Sequence, residues 1–325
     1  MERLDHFMAR ANAAFYARGD ALAHFTTAPE ISQAFGECLG LWAAVTWEAM
    51  GRPEPVWLVE LGPGRGTLMA DAWRAVAEVA APFAAAARIA LVESSPALAA
   101  IQRDRLAGLP ARWLADLASL PPGPLILLAN EFLDALPIRQ FVRRADGWRE
   151  RHVAAGAFVE LPAEEALPPD LPEGSVIERN EAALELIGRL ARRIVAEGGA
   201  ALFLDYGPEQ SAPGESLQAV RHHAPADPLA EPGSADLTAH VDFAALARAA
   251  RAAGAAVHGP LPQGLFLQRL HIVTRAAMLA QAAPRQAGLI LSGMQRLIAP
   301  EGMGRLFKAL CLCHPSLPIP YGFAP

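Results

Sequence analysis

Four short apolar runs of this 325-residue chain end on or beside an acid. Glu60 closes off VWLVEL just ahead of a glycine turn, ELGPGRGT. Glu93 ends RIALVE, Asp116 ends ARWLAD, and Glu131 follows Asn130 in ANEFLD. A carboxylate at a strand end can accept both hydrogen bonds of a ribose diol, which suits Glu93. Asp116 could accept from an adenine amine, or could instead cap the next turn. In the turn itself, Gly62 and Gly64 let the backbone pass close under a ligand, because neither carries a Cβ. Gly66 completes the G-x-G-x-G spacing. No lysine follows as a phosphate loop requires, and the spacing is not the G-x-G-x-x-G of a nicotinamide site. The acid at Glu93 supports an adenosine ligand without choosing the cofactor, because a dinucleotide enzyme would also place an acid at this strand end. Asp205 and Tyr206 in LDYG end a fifth run and could line the same pocket.

The elements that must carry these groups alternate. Residues 56 to 61, 88 to 94, 111 to 116, 124 to 131 and 199 to 207 read as strands buried on both faces. Helices are predicted over 30 to 50, 67 to 80 and 180 to 198, and after Ser95 and Pro96. Asn180 reads as an N-cap and Gly198 as a C-cap. The alternation predicts an α/β fold, a mostly parallel twisted sheet with helices on both faces. Ligands of such sheets bind at the carboxyl ends of the strands, where the acids fall. Asp146-Gly147 marks a hairpin inside a β-rich insertion at about 137 to 180. Residues 267 to 278 read as a last strand, and 285 to 312 as two short helices divided by Pro300. The expected organisation is an N-terminal helical lid over 1 to 50, a main domain over 51 to 280, and a helical tail over 281 to 325.

Composition narrows the partners. The formal net charge is −6, and no block of Lys or Arg stands out, so nucleic acid is not expected. No apolar stretch is long enough to span a membrane. The start carries Glu2, Asp5 and Asp20 and has neither a signal-peptide core nor a transit-peptide composition, so a cytoplasmic location is expected. Three cysteines make no disulfide framework. Cys311 and Cys313 beside His314 lack a second ligand pair and read as apolar thiols at a helix end, so no metal is expected. His240 stands alone and reads as structural. Trp42 and Trp47 fit a core or a dimer interface equally, which leaves the oligomeric state open.

The turn with Glu60 two positions ahead resembles motif I of the class I S-adenosylmethionine methyltransferases. Six segments in order then resemble the MidA-like family: FTTAPEISQAFGECLGLW, ELGPGRGTLMAD, NEFLDALPIRQF, LDYG, DLTAHVDFAAL and MGRLFKAL. The family includes a mitochondrial complex I assembly factor that acts as a protein-arginine methyltransferase. The resemblance implies a Rossmann-like methyltransferase fold with S-adenosylmethionine as cofactor. It implies cofactor contacts at Glu60, Gly62, Gly64, Gly66, Glu93, Asp116 and Asn130, and a protein arginine, in a complex I subunit, as the acceptor. Glu131 is expected to pair with the guanidinium and Asp134 to shape the site. A cofactor-binding assembly scaffold without catalysis and a small-molecule methyltransferase are the competing readings. The family's longer loop with Gly-Asp-Phe is shortened here to ARGDALAHFTTAPE, which alters the expected lid.

Overall fold

The structure is a computed structural model and describes residues 1–18 and 21–324. Asp20, one of the acids noted at the chain start, lies outside them, as does part of the shortened loop. A two-residue strand, β1 (Glu2–Arg3), leads into α1 (Leu4–Tyr16), and a short turn of helix, α2 (Ala28–Ile31), precedes α3 (Gln33–Ala49). Ser32, in extended conformation, separates the last two, so the predicted helix over 30 to 50 is broken there. Then come β2 (Val56–Leu61), α4 (Thr67–Val79), α5 (Ala81–Ala86), β3 (Ala87–Val92), α6 (Pro96–Arg105), β4 (Ala111–Leu114) and β5 (Leu125–Asn130). The insertion supplies β6 (Arg139–Arg144), β7 (Gly147–Ala154), β8 (Ala157–Pro162) and β9 (Val176–Arg179), which form a separate antiparallel sheet with β1. Helix α7 (Glu181–Glu197) starts at Asn180, whose side chain accepts the Ala183 N–H at 2.8 Å. It returns the chain to β10 (Gly199–Tyr206).

Three short strands, β11 (Gln218–Arg221), β12 (Ala224–Ala226) and β13 (Asp236–Thr238), make a small third sheet. Helix α8 (Phe243–Ala252), β14 (Ala256–Pro262), α9 (Gln263–Arg269), α10 (Ile272–Ala282), α11 (Ala287–Ile298) and β15 (Phe307–Cys313) complete the chain. The seven-stranded main sheet runs β14-β15-β10-β5-β2-β3-β4. Its five strands from β10 to β4 are parallel, and β15 and β14 are antiparallel additions. Successive residues of one strand feed opposite cores, as strand geometry requires. Leu58, Ile126 and Leu202 join one core with α3, α4 and α10, while Val59, Leu127 and Phe203 join the other with α7 and α8. Trp42 and Trp47 are buried in the first of these.

Two expectations about the C-terminal third are corrected. Residues 267 to 278 are not a strand. They lie in α9 and α10, with His271 at φ +60° between them. The tail is not wholly helical either, because FKALCLC is β15, inserted between β14 and β10. Every residue of it is buried, with Leu310 and Leu312 facing one core and Ala309, Cys311 and Cys313 the other. The two cysteines are therefore buried strand residues, not residues of a helix end, and both are free thiols.

Candidate cofactor and acceptor site

The carboxyl ends of β2, β3, β5 and β10 open onto a cavity of about 600 Å³ that α1, α2 and β13 help to wall. In the turn after β2, Gly62, Gly64 and Gly66 all have positive φ, at +58°, +55° and +77°. An L side chain rarely adopts these angles. Gly62 and Gly64 line the cavity. Gly66 does not, but caps the start of α4, where a Cβ would come within 3.3 Å of Leu106. Among the described residues, the one cation on the cavity wall is Arg65, which donates to the Leu22 carbonyl at 2.7 Å and so ties the N-terminal segment to the turn. Ser95 and Glu131 tie the same segment down. The Ser95 hydroxyl donates to Tyr16 O at 2.7 Å, and the Ala28 N–H donates to Glu131 at 2.8 Å.

Glu93 lines the cavity at the end of β3 and accepts from Ser95 N at 2.7 Å and from Gln102 Nε2 at 3.0 Å. With the Ser94 backbone as a third donor, the carboxylate's roughly four lone-pair sites still leave room for one more. Glu60 is buried on the same wall, and burial pushes its carboxyl up to about 8. Among the described residues, its Oε2 and the Oδ1 of buried Asn130 have no protein partner. Buried acceptors are normally satisfied, so two of them on one cavity wall mark a place for a ligand's donors. Asp116 is elsewhere. It is exposed beyond the edge strand β4 and accepts from Ser119 N at 2.8 Å, capping a 3-10 turn. The expected adenine contact at Asp116 is therefore corrected to a structural cap.

The other half of the cavity is acidic. Glu131, at φ +49°, also accepts from Asn130 Nδ2 at 3.0 Å, and burial pushes its carboxyl up to about 7. Asp134 is buried and its carboxyl is hydrogen-bonded to the Tyr206 hydroxyl, while among the described residues its Oδ1 has no partner. Burial first, then the nearby Asp205 and Asp236, drive its carboxyl well above the usual range. Asp205 does not line the cavity. It lies beneath the loop after β5, where Oδ2 accepts the N–H groups of Phe132, Leu133 and Asp134 at 3.1, 2.8 and 3.3 Å. Asn180 and Asn12 hold the same loop by its carbonyls, Asn180 at Leu133 and Leu136 and Asn12 at Ala135. Tyr206 does line the cavity, with His240 edge-on against its ring.

Sequence reasoning passed over Tyr16, Gln102 and the particular place of Asp236. The Tyr16 hydroxyl donates to Asp236 at 2.7 Å across 220 residues of chain, a distance at which no local pattern speaks. Among the described residues, no group of three His, Cys, Asp or Glu side chains is placed to hold a metal ion, and no helix is long and apolar enough to cross a membrane.

The residues present fit S-adenosylmethionine. Unpartnered acceptors await ammonium or hydroxyl donors, a carboxylate stands at the second strand end, and the one wall cation is committed to a carbonyl. Fold and cavity together define a class I S-adenosylmethionine-dependent methyltransferase. The chain belongs to the family described as “Putative S-adenosyl-L-methionine-dependent methyltransferase”, whose model matches residues 38–261. It is 35% identical over 359 residues to the mitochondrial protein arginine methyltransferase NDUFAF7 homolog of Drosophila melanogaster, covering 96% of this chain and 80% of that one. It is 35% identical over 336 residues to the mitochondrial protein arginine methyltransferase NDUFAF7 of Mus musculus, covering 92% and 77%. A crystal structure of a Burkholderia thailandensis protein bound to S-adenosyl-homocysteine superposes with a TM-score of 0.83 at 27% identity, covering 99% of this chain and 88% of that one. The expectation of a cytoplasmic location is withdrawn, because these curated relatives are named as mitochondrial proteins.

Proposed function

We propose that the chain methylates an arginine side chain of a protein, a subunit of respiratory complex I being the substrate proposed, with Glu131 and Asp134 facing the acceptor. The relatives named as protein arginine methyltransferases support this reading. The observation that carries it is the unbalanced acid at the cavity's end. Among the described residues, neither Glu131 nor Asp134 forms an ion pair, and Asp134 Oδ1 has no partner at all. Buried without a countercharge, both carboxyls are raised and hold their protons more tightly, and a cation from outside would take the protons' place. A guanidinium supplies one, with planar donors that match carboxylate oxygens.

The bound cofactor supplies a methyl group activated on a positively charged sulfur. The acceptor nitrogen gains a carbon and must lose a proton, because a guanidinium is fully protonated at neutral pH. Glu131 is the base proposed for that proton, since its carboxyl is pushed up to about 7, close to the working pH. Asp134 holds the cation and keeps it oriented. Cofactor contact is proposed for Glu60, Gly62, Gly64, Glu93 and Asn130. A scaffold that only bound the cofactor would have no use for buried acids held unpaired. The cavity rim, with Ala9, Ala13, Ala17, Thr26 and Ser94 exposed, leaves room for a polypeptide to approach.

The test is calorimetric titration of S-adenosylmethionine, S-adenosylhomocysteine and NADH into the wild type and Gly64→Val, followed by transfer of labelled methyl to lysate proteins. Gly64 sits at φ +55°, so valine strains the turn as well as filling it. Binding of both sulfur nucleotides, lost in the variant, with label recovered as methylarginine, is expected. Label on another residue type would refute the arginine assignment.

A further inference from the structure

A third carboxylate completes the acidic end of the cavity. Asp236 begins β13, is 6% exposed, and lines the cavity with Tyr16, Asp134, Tyr206, Gln218 and Thr238. It comes from a different element than Asp134, yet the two are joined. The Ala239 N–H, one residue past β13, donates to the Asp134 carbonyl at 2.9 Å. Asp236 is also held in place, because one oxygen accepts the Tyr16 hydroxyl at 2.7 Å. Helix α1 cannot shift away from it, since Asn12 on the same helix bonds Leu237 N at 3.0 Å and Leu237 O at 2.8 Å. Tyr206 and Thr238 share Gln218 Nε2 as a donor, at 3.1 and 3.2 Å, and the Tyr206 hydroxyl is also hydrogen-bonded to the Asp134 carboxyl. What is left without a partner is Asp134 Oδ1, on a side chain that is 6% exposed.

We propose that Asp236 is a further acceptor-binding residue, which with Asp134 grips the guanidinium of the incoming arginine. This rests on the arginine reading above and adds to it the residue that selects a cation of this shape. A guanidinium has five N–H donors in one plane, so two carboxylates can take two of its edges and leave a nitrogen facing the cofactor half. A lysine ammonium has no second edge to offer. Tyr16 acts on the acceptor only through Asp236 and is a positioning residue.

The experiment titrates Nα-acetyl-arginine methylamide and its uncharged counterpart, Nα-acetyl-citrulline methylamide, into protein saturated with S-adenosylhomocysteine. Wild type, Asp236→Asn, Asp134→Asn and Tyr16→Phe are compared. Asparagine can still accept from Tyr16, so Asp236→Asn removes the charge while keeping the anchor of α1. The expected result is a wild-type preference for the arginine probe that falls about ten-fold or more in Asp236→Asn, with nucleotide affinity unchanged. Arginine binding by Asp236→Asn within about two-fold of wild type, while Asp134→Asn weakens it, would overturn the proposal and leave the arginine reading standing. A wild type that does not distinguish arginine from citrulline would overturn both. Should Asp236→Asn lose the nucleotide as well, Tyr16→Phe decides the matter. A weaker arginine probe with unchanged nucleotide supports the proposal, and an unchanged arginine probe overturns it.

Discussion

The carboxylate of Asp205 accepts the backbone N–H of Leu133 at 2.8 Å, inside the protein and out of reach of the cavity. The same oxygen takes the N–H groups of Phe132 and Asp134, and the other oxygen takes Tyr206 N at 2.9 Å. Glu131 and Asp134 thus stand on a loop whose donors are gathered by one buried acid. The loop is also bound to β10 directly, through Glu131 N and Leu204 O at 2.8 Å. This explains how Glu131 is kept at φ +49°, a conformation that needs support from its surroundings.

Asp205→Ala should therefore destabilise the fold and disorder the acceptor loop. Four backbone N–H groups, two of them in fully buried bonds, would lose their acceptor, each buried one at about 1–3 kcal/mol before relaxation. Thermal denaturation should show a fall of several degrees. Asp205→Asn, which keeps the volume and one acceptor oxygen, should fall less in stability yet lose about ten-fold in kcat. Cofactor affinity should change little in the asparagine variant, because the glycine turn does not touch Asp205. An unchanged kcat in Asp205→Asn would show that the loop holds its shape without this clamp.

Gln102 joins the two halves of the cofactor cradle. Its Nε2 donates to Gly64 O at 2.9 Å and to Glu93 Oε2 at 3.0 Å, while its Oε1 accepts from Trp113 Nε1 at 3.1 Å. Gln102→Leu keeps the bulk and removes all three bonds. Affinity for S-adenosylhomocysteine should drop about ten-fold, as turn and carboxylate lose their fixed spacing. Asp116→Ala is the contrast. It removes an exposed cap, so stability should fall by about 1 kcal/mol and nucleotide affinity should stay level. Parallel titration calorimetry on the two variants checks both statements, and a loss of affinity in Asp116→Ala would put that residue back in the site.

The contrast between Glu93 and Asp116 shows what a sequence can and cannot convey. Both are acids at the ends of apolar runs, and locally they look alike. Strand order separates them, since β3 is next to β2 whereas β4 lies at the sheet edge, one strand further from the glycine turn. Continuous apolar runs made β2, β3, β5 and β10 legible, because both faces of these strands are buried. The same property hid β15. A run buried on both faces has no alternation, and FKALCLC follows a segment with real helical period. Strand β14 has no continuous apolar run, because Gly259, Pro260 and Pro262 interrupt it, and its register breaks between His258 and Leu261. Residues carried by ordered motifs, such as the glycine turn and NEFLD, could be picked out from the chain, and Gly62, Gly64, Glu131 and Asp134 among them line the cavity. The Tyr16–Asp236 contact could not, because only the folded chain brings α1 against β13.

Glu131 is a buried acid whose protonation links stability to activity. Its carboxyl is pushed up to about 7 by burial, against 4.5 in the unfolded chain. The folded protein therefore holds this proton through a range in which the unfolded chain has released it. The sign follows from linkage: stability rises with pH only where the unfolded state binds more protons, and here it binds fewer. The contribution of the protonated Glu131 is present in full below 4.5 and is lost as pH rises through about 7. Methyl transfer should run the other way, because only the ionised form can take the acceptor's proton. Activity at saturating substrates should climb through about pH 7 in the wild type. Glu131→Gln should lower kcat about a hundred-fold, consistent with loss of a general base, and flatten this limb of the profile. It should also reduce the decline in melting temperature between pH 5 and 7, roughly the window set by the two values. A Glu131→Gln enzyme with the wild-type pH profile would show that the proton leaves by another route, and Asp134 would be the next group to replace.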